Sequence, residues 1–224
     1  FKDQAVIFSR KHNWIMCILY LGTFGSFIGF AAGFPLLIKS QFTGIDPVKY
    51  AFLGPLVGAL ARPFGGWISD KIKSGALITQ FVFIGMIVAV CGVIFFLPNN
   101  GEGGNFWGFF ACFLALFTLT GIGNGSTFMQ VPVIFLNMHQ KFAEEGKVSE
   151  EQAGLDATKE GAAVIGFTAA FAAYGGFFIP KSYGTSIDLT GGVNAALIGF
   201  IIFYAICAAL NWWYYTRKGA EAKC

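Results

Sequence analysis

The chain has 224 residues, 55% of them hydrophobic and only 12% charged, with a mean hydropathy of +0.64. Soluble domains carry about 25% charged residues, so the composition excludes an ordinary soluble domain and points to a membrane protein. The net charge of +3 implies no nucleic-acid partner, because the basic residues stand at the ends of apolar runs and form no patch interleaved with aromatics.

In chain order, residues 1–13 form a short polar lead carrying Lys2, Arg10 and Lys11. The chain opens on Phe1 rather than Met and shows no signal peptide, so it is expected to be part of something longer. Apolar runs predict six spans, at about 14–38, 50–69, 76–97, 106–135, 161–179 and 195–215. Between them lie a short loop at 39–49, a tight basic turn at 70–74 and a Gly-rich turn at 99–105. Residues 136–160 are the one long polar stretch, read as a solvated connector with a possible surface helix. The fifth span is expected to stop at Pro180, and 181–194 to be a loop. Trp212, Trp213, Tyr214 and Tyr215 close the sixth span as an interfacial belt, followed by a tail at 216–224.

With six spans both termini share a side. Lys2, Arg10, Lys11, Lys71, Lys73, Lys141, Lys147, Lys159, Arg217, Lys218 and Lys223 fall on it, against Lys39, Lys49 and Lys181 on the other. The positive-inside rule therefore places both ends in the cytoplasm.

Arg62 is the exception, set inside the second span. A cation at the bilayer centre costs about 2.5–3.5 kcal/mol on insertion scales, and such a residue faces a bundle interior or a water-filled path. Its guanidinium is a planar fork of donors that matches planar oxyanions and stays charged. The span interiors hold no Asp, Glu, Lys or His to neutralise it, and Asp70 is eight residues on, ~12 Å along a helix. An anionic ligand is therefore the leading reading, and a structural arginine tied to carbonyls, such as one that a bend at Pro63 would free, is the bland one.

Tyr20 and Phe24 stand four apart on the first span and share a face. They suit flat walls for a planar anion, though plain packing is the simpler account in a chain with 27 Phe. Gly121-Ile122-Gly123-Asn124-Gly125 is no phosphate loop, lacking strand context and a following Lys-Ser/Thr. Gly121 and Gly125 favour close helix packing, while Asn124 is open to packing or a site contribution. Ala162, Gly166, Ala170, Ala173 and Gly176 line one small-residue face of the fifth span, as Gly22, Ser26, Gly29 and Gly33 do in the first. At the end of the second span, Gly66-Trp67-Ile68-Ser69-Asp70-Lys71 is a charged turn in which Asp70 suits a helix cap. Cys17, Cys91, Cys112 and Cys207 read as small buried apolar residues, Cys224 is terminal, and no metal set or cofactor motif is apparent. No nucleophile–base pair supports an enzyme.

The last turn is similar to the loop joining the second and third helices of each half of the major facilitator superfamily. More specifically, LYLGTFGSFIGFAAGF, GALARPFGG, GIGNGSTFMQ and the run Gly166–Phe178 continuing into Ile179-Pro180-Lys181 resemble the nitrate/nitrite porter (NarK) family. The resemblance covers essentially the whole chain and matches only helices seven to twelve. It implies an all-α membrane protein, the six-helix C-terminal half-bundle of a major facilitator fold in a bacterial inner membrane. It further implies a secondary active transporter of nitrate and nitrite, partnered by an N-terminal six-helix half and requiring no cofactor. Arg62 matches the C-half arginine that grips the anion, Tyr20 and Phe24 match pocket aromatics, and Gly166 matches a pocket glycine. Gly175 and Gly176 fall in the nitrate signature, Gly66, Asp70 and Lys71 in the loop motif. Ala169 stands where some members carry serine. With no carboxylate in the spans, exchange is expected over proton symport. The competing readings are a porter of another anion, such as an organic carboxylate, and a non-transporting six-helix scaffold.

Overall fold

Apolar runs this long must satisfy their own backbone hydrogen bonds in lipid, which leaves helices as the natural form. The computed structural model describes residues 5–98 and 103–224, and among these the chain is helical with no strand. Lys2 and the first part of the expected Gly-rich turn, 99–102, lie outside the described residues. After a 3-10 turn at Ala5–Ser9 come six long helices: α1 (Lys11–Gln41), α2 (Leu53–Ile72), α3 (Gly75–Phe96), α4 (Phe106–Glu144), α5 (Glu150–Thr190) and α6 (Asn194–Thr216).

Capping chemistry sets several ends. Ser74, Asn105 and Ser149 begin α3, α4 and α5, each side-chain oxygen accepting from an amide in the first turn. Ser74, not Asp70, caps α3; the Asp70 side chain caps no helix among the described residues. Gly191 ends α5 in the left-handed region (φ 75°).

Five helices, all but α2, are long and apolar enough to cross a membrane. α2 has 20 residues, ~30 Å of helix, but Arg62, four glycines and two prolines dilute its apolar character. So length and composition support five of the six expected spans.

Two expected loops are helical. α5 starts at Glu150 and runs through Pro180 to Thr190. Proline removes one amide donor, and tight packing of neighbouring helices accommodates that loss. Here Pro180 lies 3.7 Å from where a Cβ on Gly33 of α1 would sit. α4 likewise continues past the apolar run to Glu144. Two other expectations are revised. Tyr215 turns inward and is fully buried, leaving Trp212 and Trp213 half-exposed. Cys91 is exposed and Cys112 only partly covered.

α4 is the packing centre, contacting α2 and α3 along its length and α5 over its second half, while α1 packs on α5 and α3 on α6. An aromatic column joins α1 to α4, where Phe34 stacks on Phe113 at 4.5 Å and meets Phe117 edge-on at 5.6 Å. The α2–α4 crossing is backbone on backbone. A Cβ at Gly65 would overlap the Ile122 carbonyl, one at Gly121 the Gly58 carbonyl, and one at Gly125 the Arg62 carbonyl. This GxxxG approach fixes how α2 presents Arg62.

Candidate functional site

Arg62 sits midway along α2. Its neighbours Ala61 and Gly65 are buried towards α4, and Arg62 itself is exposed on the surface of the described chain. The guanidinium carbon lies 5.8 Å from the centre of the Phe24 ring of α1, within cation–π range of about 6 Å. Among the described residues Arg62 forms no ion pair and no side-chain hydrogen bond, so the structure offers neither an acidic partner nor a carbonyl tie.

Phe24 is paired with Tyr20, centroids 5.2 Å apart and planes 31° from parallel. Tyr20 is 4% exposed and Phe24 intermediate. Directly after Tyr20 α1 widens into a π turn at Leu21–Gly25, in which the Ser26 amide donates to the Leu21 carbonyl five residues back. The sequence offers a faint signal for this turn in its glycines, Gly22 and Gly25. A Cβ on Gly22 would lie 2.8 Å from the Phe83 ring, and one on Gly25 2.8 Å from the Ala172 carbonyl oxygen. Such turns recur at functional sites in helices.

Asn124 of α4 is 2% exposed, and its side-chain oxygen has no partner among the described residues. Its helical neighbours fix its direction: Thr127 meets Thr23 of the π turn, and Gly125 lies against the Arg62 backbone. Asn124 therefore lies on the side of α4 that is turned to α1 and α2.

Other expected residues are placed differently. Gly166 is exposed with open space about it, and nothing brings it to Arg62; its neighbour Phe167 packs on Phe8 and Trp14 near the start of α1. Ala162, Ala170 and Ala173 are exposed on the same face of α5. Gly175 instead packs directly on the Gly25 backbone at the π turn, and Gly176 lies 3.0 Å, as a Cβ would, from Ile28. Gly66 has room for a side chain, and Lys71 caps the face of the Trp67 ring at 5.1 Å.

The sequence reading missed a polar cluster at the other end of α1. Arg10 donates two hydrogen bonds to Glu160, at 2.9 and 2.8 Å, from a position 5.5 Å from the Phe142 ring centre. His139 Nε2 lies 3.3 Å from the same carboxylate but out of line for a hydrogen bond. These groups border a cavity of about 880 Å³, well removed from Arg62. Beside it Glu221 pairs with Lys11, whose hydrogen bond holds the Glu221 carboxyl below the usual range. Arg10 and Glu160 are 150 positions apart, and no local pattern announces such a pair.

No family model matches the chain. Curated relatives do. The chain is 44% identical over 221 residues to the "Nitrate/nitrite transporter NarU" of Escherichia coli (strain K12), a match covering 99% of this chain and 47% of that relative. It is 43% identical over 216 residues to the protein of the same name in Salmonella typhimurium, covering 96% of this chain and 46% of the relative. It is 43% identical over 229 residues to the "Probable nitrate/nitrite antiporter NarK2" of Thermus thermophilus, covering 100% of this chain and 46% of the relative. The chain belongs to the nitrate/nitrite porter (NarK) family. It spans about half the length of the curated NarU and NarK2 relatives it matches.

Proposed function

We propose that the chain is the C-terminal half of a major facilitator transporter that exchanges nitrate for nitrite, with Arg62 as its anion ligand. The observation that carries this is the state of Arg62: a mid-helix guanidinium held against an aromatic ring and matched by no acidic group among the described residues. Nitrate and nitrite are small planar anions. A guanidinium fork bonds them in plane, and Tyr20 and Phe24 supply flat apolar walls that keep water out. Asn124, whose buried side-chain oxygen has no partner among the described residues, is a further polar contact for the anion in this reading, and Gly166 keeps open space on α5.

In this reading residues 14–215 form the half-bundle of six spans, α2 being the second of them, residues 1–13 lead in from the linker between halves, and 216–224 form the tail. The basic residues place both ends in the cytoplasm of a bacterial inner membrane. The six-helix N-terminal half supplies a facing arginine, and the two halves rock about the site. An empty site holding two cations resists closing; a bound anion screens the repulsion and permits it. Gly66, Asp70 and Lys71, in the last turns of α2, then adjoin the turn to α3, which changes contacts between states. Acidic residues in the helices lie at helix ends or in the first eleven residues of α5, and Glu160 among them is already paired. This supports exchange over proton symport.

The test is nitrate uptake by the full-length protein in proteoliposomes, nitrite-loaded or empty, with and without a proton gradient. Exchange requires internal nitrite and ignores the gradient; uptake into empty vesicles driven by the gradient means symport instead. Arg62→Lys keeps the charge but loses the fork, and losing a hydrogen-bonded charge contact costs about 2 kcal/mol or more, so uptake is expected to fall at least ~30-fold. Undiminished uptake by this variant would rule out Arg62 as the ligand.

A further inference from the structure

The π turn of α1 follows directly on Tyr20 and carries Phe24, and it is held on several sides. Phe83 and Cys207 close on Gly22, the Ala172 carbonyl on Gly25, and Gly175 on the Gly25 backbone. These contacts are steric and would tolerate a small slide of α1. One polar tie fixes the turn against α4. Thr23 Oγ1 lies 3.3 Å from Thr127 Oγ1, and both residues are fully buried. Thr127 gives its single hydroxyl hydrogen to the Gly123 carbonyl at 2.6 Å. Its oxygen is then the acceptor, and Thr23 is the donor, sharing its hydrogen between Thr127 and the Leu19 carbonyl, also at 3.3 Å. Gly123 makes the approach possible, since a Cβ there would come within 2.8 Å of the Thr23 methyl.

Thr127 is three residues from Asn124, on the same side of α4. A hydroxyl pair in a setting this dry and this tightly packed therefore sets the register between the aromatic wall of α1 and the unpartnered amide of α4. We infer that Thr23 and Thr127 are positioning residues for the anion site, holding Tyr20 and Phe24 in register with Asn124 and Arg62 without touching the anion. The inference rests on the anion-site reading of Arg62 given above.

Thr127→Val is isosteric and removes both the accepted bond and the bond to Gly123; Thr127→Ser restores the hydroxyl. In the full-length transporter in nitrite-loaded proteoliposomes, Thr127→Val is expected to raise the KM for nitrate about three- to tenfold while leaving the maximal rate within about twofold. The nitrate-dependent rise in melting temperature of the purified protein is expected to shrink in parallel. Thr127→Ser returns both to parental values. Thr118→Val, which removes only a hydroxyl bonded to the Leu114 carbonyl of its own helix at 2.8 Å, leaves KM unchanged. Thr23→Val serves as the second probe if Thr127→Val does not fold, and is expected to reproduce the KM rise. A folded variant of either residue with parental KM and parental nitrate-dependent shift overturns the inference. If Arg62→Lys also transports normally, the anion site has failed; if Arg62→Lys is inactive, only the threonine pair has.

Discussion

At the scale of single residues, two arginines show how surroundings decide the role of a charge. Arg10 sits 25% exposed, clamped in two hydrogen bonds to a Glu160 that is 11% exposed and backed by Phe142. Arg62 has an aromatic ring and, among the described residues, no anionic partner. The first is a structural tie between the lead into α1 and the start of α5; the second keeps its donors for something else. Charge-assisted hydrogen bonds in a partly buried setting contribute about 1.5–3 kcal/mol each pairing, so Glu160→Gln is expected to destabilise the protein by about that amount. Thermal unfolding of the purified variant checks this, with a lowered melting temperature expected and KM for nitrate unchanged. The residue type of Arg62 was legible in the sequence because an isolated cation stands out in an apolar run. The role of Arg10 was not, since its partner lies 150 residues away and nothing in the local pattern of either residue differs from an ordinary charged flank.

At the scale of helices, glycine has two opposite uses here. Gly65, Gly121 and Gly125 seat α2 on α4 so closely that a methyl group would strike backbone carbonyls. Gly166 has nothing near it in the described chain. Gly65→Ala must push the helices apart, a loss of about 1–3 kcal/mol typical of overpacking, and is expected to lower the melting temperature. Gly166→Ala is expected to leave stability unchanged or raise it by up to ~1 kcal/mol through helix propensity. If Gly166 is a pocket glycine, as the family resemblance implies, the added methyl impairs nitrate uptake; parental uptake removes Gly166 from the site, in line with its separation from Arg62 in the described chain. Parallel melting and uptake assays on the two variants separate packing glycines from pocket glycines. Spacing alone revealed both sets of small residues but not which were covered. Helix ends were misjudged for a related reason: the apolar run of the fifth span reports membrane depth, whereas Ser149 and Gly191 set where the helix starts and stops.

At the scale of the whole molecule, Arg62 of α2 and the small-residue face of α5 at Ala162, Gly166, Ala170 and Ala173 are exposed in the described chain. The matched relatives are about twice as long. The 224-residue chain expressed by itself is therefore expected to insert in membranes but to take up no nitrate above background. The full-length protein, assayed under identical conditions, is expected to transport, and uptake by the isolated chain would show that one half suffices. By itself the sequence determined the helical membrane class and the prominence of Arg62, because hydropathy and charge act locally and every apolar run must obey them. Only the tertiary structure decided that the Arg62 guanidinium faces Phe24, that a π turn begins just after Tyr20 and carries Phe24, that Thr23 meets Thr127, and that Pro180 lies within a helix. Each of these depends on which helices are neighbours and at what register, and that is set by close packing between residues far apart in the chain.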